Sequence, residues 1–402
     1  MTPDRETVTG PDLVVMSLEP WDDVWRRNQH LVAGLLRAHP TARVLFVEPV
    51  ADPLHALTRG AWPRPGRGLR PAPDVEGVGP RRLWLLEPTK LLPRRVAPHG
   101  DERRATVVVR AARRLGLARP VLWVNDPYGA TLARVSGWPT LYDVTDDWTA
   151  ATRGAAESRR VAESDRYLVE HAAAVTVCSP TLAARKADAR SVVLVTNGVD
   201  VERYRKPAAR PTDLPPGATA VYVGTLHADR LDVGLCEDTA RALDGAGTLV
   251  LVGPVSLERP DVDRLRRAGV AVLGARPFDQ VPAYLQHASA LVVPHVVDDF
   301  TDSLDPLKLY EYRAVGRPVV STPVAGFRDT ADPRVAVAPP EDFAAAVRDA
   351  LAEPSRGAAE DPGADLDAGT GASPEPIPTW VRQVALMSDV VDAVRRPAPT
   401  PR

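Results

Sequence analysis

The chain has 402 residues, and at roughly 150 residues per domain this length favours two large or three small folded units over a single core. Apolar residues make up 44% and charged residues 25%, ordinary values that exclude a collagenous, wholly disordered or coiled-coil chain. Proline stands out at 41 residues, about twice the usual 5%, and the formal net charge of −2 averages over an uneven distribution.

Short β-branched runs alternate with amphipathic stretches along the chain. A strand is predicted at Leu13–Leu18, a helix at Val24–Arg37 and a strand at Val44–Glu48, followed by a Pro/Arg-rich interruption from Pro49 to Pro80. Leu83–Leu86 reads as a strand. A helix from Glu102 to Leu115, a strand at Val121–Asn125, a short helix after Pro127, a strand at Leu141–Val144 and a helix around Ser158–His171 follow, then strands at Ala174–Cys178 and Val192–Thr196. A proline-rich stretch from Tyr204 to Gly217 suits a linker. The second series has strands at Ala220–Gly224, Thr248–Val252, Val270–Leu273, Leu291–Pro294, Pro318–Thr322 and Arg334–Val337, with helices near 231–244, 260–268, 279–288, 305–315 and 341–353. Pro354–Pro378, rich in Ala, Gly, Asp and Pro, has little to bury and reads as a flexible linker. Trp380–Val394 reads as a last amphipathic helix. Val-rich strands with two apolar faces alternating with helices imply parallel sheets covered on both sides. The fold class is therefore α/β, with Rossmann-like doubly wound domains at 1–205 and 213–353, a linker at 354–379 and a final segment at 380–402.

Between Arg59 and Arg119 there are fifteen Arg or Lys against five Asp or Glu, and the rest of the chain has 35 against 47. The stretch suits either solvated arginines or contact with an anionic membrane surface or phosphorylated acceptor. No stacking motif or zinc finger accompanies it, so nucleic acid is not expected. Cys178 and Cys236, 58 positions apart, support neither a disulfide framework nor a zinc site and fit a reducing compartment. The first apolar run follows Asp4, Glu6 and Asp12, unlike a secretory leader. No apolar run approaches the roughly 18 residues of a membrane span. A soluble, cytoplasmic protein is expected, with peripheral membrane contact through 59–119 left open.

In doubly wound domains ligands lie at the carboxyl ends of the strands. The segment 302–320 is the most informative. Asp305 suits an N-cap, Pro306 the first helical position and Gly316 a left-handed C-cap. Lys308 and Glu311 share one helix face, so the helix start and Lys308 could hold a phosphate while Glu311 accepts two ribose hydroxyls; the alternative is an exposed pair worth about 0.3 kcal/mol. Asp143, Asp146 and Asp147 follow a strand and could supply a general base or hold acceptor hydroxyls, or cap the next helix. His30 sits inside a helix, next to the Asp22–Asp23 loop, where it is expected to pack or cap rather than to catalyse. His227 beside Gly224 and His295 after a strand are further donor-site candidates. Asp261-Val-Asp263 and Asp365-Leu-Asp367 lie on a surface helix and in the flexible tract, so neither suggests a metal site.

The run PLKLYEYRAVGRPVVST resembles the donor-binding helix of GT-B glycosyltransferases, particularly glycosyltransferase family 4 and its relatives in polysaccharide synthesis. EPWDDVWRRNQHLV, LYDVTDDW, VTNGVD and YVGTLHADRLD are similar to the first loop, an acceptor-domain loop, the end of the first domain and the opening of the nucleotide domain. TWVRQVALM resembles the helix that crosses back to the first domain. The resemblance implies transfer of a sugar from a nucleoside-diphosphate sugar to a saccharide, lipid-linked saccharide or small natural product in an interdomain cleft, without metal or other cofactor. It assigns the donor to Gly224, Thr225, His227, Arg230, Ser303, Asp305, Leu307, Lys308 and Glu311, with Glu311 on the ribose and Lys308 and Arg230 neutralising the diphosphate. Ser303 stands where the family has a glutamate and Thr225 where it has an arginine. The rival readings are a non-hydrolysing nucleotide-sugar 2-epimerase, which shares the fold, and a non-catalytic transferase-like partner. A dinucleotide-dependent oxidoreductase is disfavoured because no Gly-x-Gly-x-x-Gly follows a strand.

Overall fold

A computed structural model describes residues 10–23, 25–58, 62–90, 92, 96–149, 154–298, 301, 305–352 and 376–396. The chain forms two units, 1–196 together with 380–402, and 197–379.

The first unit runs β1 (Asp12–Met16), α1 (Arg27–Ala38), β2 (Arg43–Val47), α2 (Pro53–Thr58), β3 (Gly68–Pro71), β4 (Leu83–Glu87), α3 (Gly100–Arg114), β5 (Val121–Val124), α4 (Ala130–Ser136), β6 (Thr140–Val144), α5 (Ala155–His171), β7 (Ala174–Val177), α6 (Pro180–Ala187) and β8 (Val193–Leu194). Its eight strands lie in the order β3-β4-β2-β1-β5-β6-β7-β8. All neighbours are parallel except the β3–β4 pair. Central strands such as β5 and β6 are buried at every position, as a sheet covered on both faces demands. Val14, Leu45 and Leu122 face one core and Leu13, Val44 and Trp123 the other. The sequence reading finds β1, β2, β4 and β5–β8 within a residue or two. It does not resolve α2 and β3, which lie inside the 49–80 interruption, or the short α6. Pro71 is tolerated in β3 because that strand is at the sheet edge.

The second unit runs α7 (Val201–Arg205), β9 (Thr219–Val223), α8 (Val233–Ala242), β10 (Thr248–Val252), α9 (Arg259–Arg267), β11 (Ala271–Gly274), α10 (Val281–Gln286), β12 (Ala290–Val293), α11 (Leu307–Val315), β13 (Val319–Ser321), β14 (Val335–Val337) and α12 (Pro340–Ala352). Its six strands, all parallel, lie in the order β11-β10-β9-β12-β13-β14. This is the 3-2-1-4-5-6 pattern of a doubly wound nucleotide-binding sheet, with the chain reversing direction between β9 and β12. Residues 197–205, assigned to the first domain by sequence, belong here because Tyr204 is buried in this unit's core. The expected linker falls mostly on 353–375, outside the described residues; Val199 pairs with Thr379 at its far end.

The chain then returns to the first unit as α13 (Trp380–Arg395), packed on α1. Gly34 makes that packing close: a Cβ there would lie 2.3 Å from Val384 Cγ2. The His30 ring stacks on Trp380 at 4.4 Å, so this histidine packs, as its position in the helix suggests. No helix among the described residues is long and apolar enough to cross a membrane.

Candidate donor site in the second unit

The site is built where β9, β10, β12 and α11 converge at the reversal of strand order. Gly224 follows β9 with φ 152°, and Gly253 follows β10 with φ 145°. A Cβ on Gly253 would lie 2.0 Å from the Gly224 carbonyl oxygen, so the two strand exits pass in backbone contact that only glycine permits. A Cβ on Gly224 would lie 2.6 Å from Lys308 Cε and Nζ. The missing side chain is the space the Lys308 amine occupies.

Lys308 is the second residue of α11. Its ammonium sits 5.0 Å from the centre of the Tyr222 ring, within cation–π range, and no carboxylate pairs with it among the described residues. The Tyr222 hydroxyl lies 3.1 Å from His295 Nε2. Burial, reinforced by Lys308 and Arg230, holds the His295 imidazole well below its usual range, so it is neutral at physiological pH. Glu311 stands one turn after Lys308, partly accessible, and its Oε1 accepts a hydrogen bond from the Tyr204 hydroxyl at 2.6 Å. Burial pushes the Glu311 carboxyl up, against the opposing pull of that hydrogen bond and of Lys308 and Arg203. The Arg203 guanidinium is itself held 4.0 Å above the Phe278 ring.

The neighbouring loop is pinned at both ends. Leu226 N donates to Pro254 O at 2.9 Å, and Val296 N donates to Arg230 O at 2.8 Å. Thr225 and Arg230 are exposed on this loop, and His227, also exposed, pairs with Asp229 at 2.5 Å. Of the two histidines, His295 rather than His227 therefore joins Lys308 and Tyr222. Leu307 opens α11 half-buried. Pro306, not Asp305, is the N-cap residue. The Asp305 carboxylate instead accepts hydrogen bonds from the Tyr310 hydroxyl at 2.6 Å and from the Asn197 amide. It thereby fixes the approach to the helix rather than facing a ligand. Ser303 lies outside the described residues. Tyr204 and Tyr222 escape the sequence reading: Tyr204 is 107 positions from Glu311, and no local pattern joins them.

In the first unit the three candidate aspartates separate. Asp143, within β6, is fully buried. It receives a bidentate ion pair from Arg27 at 2.9 and 3.2 Å, together with Trp123 Nε1 at 3.2 Å, Asn125 Nδ2 at 3.0 Å and Thr176 Oγ1 at 2.8 Å. A carboxylate so enclosed and so fully donated to holds the sheet together and has no route to an acceptor proton, which corrects its candidacy as a catalytic base. Asp147 is likewise held, by Thr149 N and Oγ1 at 3.0 and 2.6 Å and by Arg185. Asp146 remains half-buried, with its Oδ2 accepting from Thr145 Oγ1 at 3.0 Å.

This unit also has a cavity of about 310 Å³ at the carboxyl ends of its strands, lined by Met16, Val47, Val50, Lys90, Arg104 and Tyr128 among others. Its cations are already partnered, Lys90 by Asp52 at 2.6 Å and Arg104 by Asp101. Nearby Arg67 and Arg70 pair with buried Glu48 and Glu87. Much of the basic 59–119 stretch is thus consumed inside the fold.

Residues 217–353 match the family Glycosyl transferases group 1. Over 223 residues the chain is 26% identical to a putative teichuronic acid biosynthesis glycosyltransferase, TuaH, of Bacillus subtilis (strain 168), covering 51% of this chain and 55% of that protein. The chain thus spans about half the length of the curated relative it matches. Among solved structures it resembles OtsA in its apo form, at TM-score 0.60 and 12% identity over 97% of this chain and 100% of that one. It also resembles HepE of Anabaena in complex with UDP, at TM-score 0.59 and 14% identity over 96% and 97%. A UDP-forming α,α-trehalose-phosphate synthase of Burkholderia vietnamiensis aligns at TM-score 0.57 and 14% identity over 96% and 98%. The second unit therefore contains the stretch that matches the group 1 glycosyltransferase model, and the chain has the two-unit α/β fold seen in the GT-B glycosyltransferases it resembles.

Proposed function

We propose that the protein is a metal-independent glycosyltransferase that takes a sugar from a UDP-sugar and passes it to a saccharide acceptor. The observation that carries this reading is the Lys308 ammonium, without a carboxylate partner among the described residues and seated over the side-chain-free Gly224. Few features of a folded protein hold a partly enclosed cation uncompensated unless an anion is to join it. Lys308, with Arg230 across the pinned loop, neutralises the diphosphate. Glu311 accepts the ribose hydroxyls through the oxygen not engaged by Tyr204. Neutral His295 can donate a hydrogen bond without adding charge. In the reaction the bond from the anomeric carbon to the β-phosphate oxygen breaks, leaving its electron pair on the diphosphate, and the acceptor oxygen bonds to that carbon as its proton passes to a base. Of the three candidate aspartates, only Asp146 has the exposure to serve as that base. The UDP complexes of HepE favour uridine, and the TuaH likeness favours a polysaccharide acceptor.

Thermal shift with UDP, GDP and TDP tests the donor, since a nucleotide that binds only the folded chain raises its melting temperature by mass action. UDP is expected to stabilise most, and EDTA is expected to leave turnover unchanged. UDP release from UDP-sugar only when acceptor is present is the expected outcome. Conversion to a second nucleotide-sugar without acceptor would establish the epimerase instead, and no turnover under any condition would favour a non-catalytic partner.

A further inference from the structure

The cavity of the first unit is walled by groups from both the helices and the strand exits. Asp101, Arg104, Ala105 and Val108, spaced at intervals of one helical turn, present one face of α3 to it. Leu132 of α4, with Met16 and Val47 at the ends of β1 and β2, completes the apolar wall. Val47, Ala105, Val108 and Leu132 all belong to the buried core of the unit. The turn before α4 closes tightly on this wall: a Cβ on Gly129 would lie 2.4 Å from Val124 Cγ1 and 3.4 Å from Met16 Sδ. The space left, about 310 Å³, is at the small end of ligand pockets, which run from about 300 to 1,000 Å³. It lies at the carboxyl ends of the strands, where doubly wound sheets receive their ligands.

Charge restricts what fits there. Six of the lining residues are charged, and each is already engaged inside the fold. Lys90 is paired with Asp52 at 2.6 Å and Arg104 with Asp101. Glu48 accepts from Trp21 N at 3.1 Å and pairs with Arg67 and Arg70, and Asp126 Oδ1 accepts from Tyr128 N at 2.9 Å. A charged ligand would have to break one of these contacts, whereas a neutral apolar group only displaces water from the wall.

Ser17, which also lines the cavity, supplies the one polar requirement. It is buried, and its Oγ accepts from Glu19 N at 3.1 Å and from Asn28 Nδ2 at 3.1 Å. Those two bonds use both lone pairs, and the hydroxyl proton has no acceptor among the described residues. A buried donor with nothing to donate to calls for a ligand oxygen. We infer that the cavity binds a neutral apolar group joined through an oxygen that accepts from Ser17, the chemistry of an alkyl or aryl glycoside. Resting on the transferase reading above, this group is the aglycone of the acceptor.

Calorimetry on the full chain with hexyl β-glucoside, glucose and hexyl sulfate tests the site, and UDP release from UDP-glucose tests its role. Hexyl glucoside is expected to bind at least about tenfold more tightly than glucose, and more tightly than hexyl sulfate, whose charge finds no open cation in the wall. Thr131→Trp, which fills the cavity from a half-buried position of α4, is expected to abolish that preference. Ser17→Ala is expected to weaken hexyl glucoside about three- to tenfold, and a cooperative melting transition checks that each variant is folded. Equal affinities for hexyl glucoside and glucose, tighter binding of hexyl sulfate, or wild-type affinity in Thr131→Trp would overturn the inference; should Thr131→Trp fail to fold, wild-type affinity in Ser17→Ala overturns it instead. Faster UDP release with hexyl glucoside than with glucose, lost in Thr131→Trp, is the expected sign of an acceptor, and equal release would refute that role. No release with any sugar counts against the transferase reading, and the calorimetry then decides the cavity by itself.

Discussion

Asp143 in β6 of the first unit and Glu311 in α11 of the second are both acidic residues near the carboxyl ends of parallel strands, and both are drawn out of water. They differ in how their surroundings answer the charge. Asp143 is met by Arg27 and by donors from Trp123, Asn125 and Thr176, so every oxygen is committed. Glu311 is met by one tyrosine hydroxyl, and the ammonium one turn away lies over an aromatic ring with no carboxylate pairing with it among the described residues. The contrast separates an internal brace from the proposed binding site: a brace closes its charges within the fold, while a site leaves capacity for a ligand.

The sharpest way to break this comparison is to remove the brace. Asp143→Ala should cost about 3–5 kcal/mol of stability, because Arg27 would be left buried and unpaired; urea unfolding measures it. Normal stability with lost turnover would return Asp143 to the catalytic candidates. On the other side, Lys308→Ala should weaken UDP binding by roughly 10- to 100-fold, the scale of one hydrogen bond to a charged group, with the melting temperature nearly unchanged. Calorimetry showing wild-type affinity would remove Lys308 from the donor site.

Tyr204→Phe removes the hydroxyl that donates to Glu311. A stability loss of about 1 kcal/mol and a severalfold fall in UDP affinity are expected, and an unchanged affinity would show that Tyr204 does not position the carboxylate. The smallest effect has two signs. Because burial raises the Glu311 carboxyl, the folded chain holds its proton more tightly than the unfolded chain. Its favourable contribution is therefore present at low pH and lost as pH rises through the folded value. Glu311→Gln should accordingly raise the melting temperature relative to wild type at pH 8 and not at pH 4, while weakening UDP binding. A melting difference independent of pH would refute the assigned environment.

The alternation of apolar strands with amphipathic helices was legible because a two-sided strand and a helix stripe are local patterns. It located the long strands to within a residue or two, and placed Lys308 and Glu311 on one helix face. The same local view failed at α2, β3, α6 and α7, which are too short to show a period. It also overvalued Asp143. An acidic residue after a strand looks the same whether solvent or an arginine 116 positions away awaits it.

By itself, then, the sequence determined the α/β layering, the second doubly wound series and the helix that carries Lys308 and Glu311, since these follow from spacing within a few turns. Only the tertiary structure decided which charges are closed and which are open. Arg27 on Asp143, Arg67 and Arg70 on Glu48, and Tyr204 on Glu311 join residues that are between 19 and 116 positions apart. Burial, which sets the worth of each such pair, is a property of the whole packed unit.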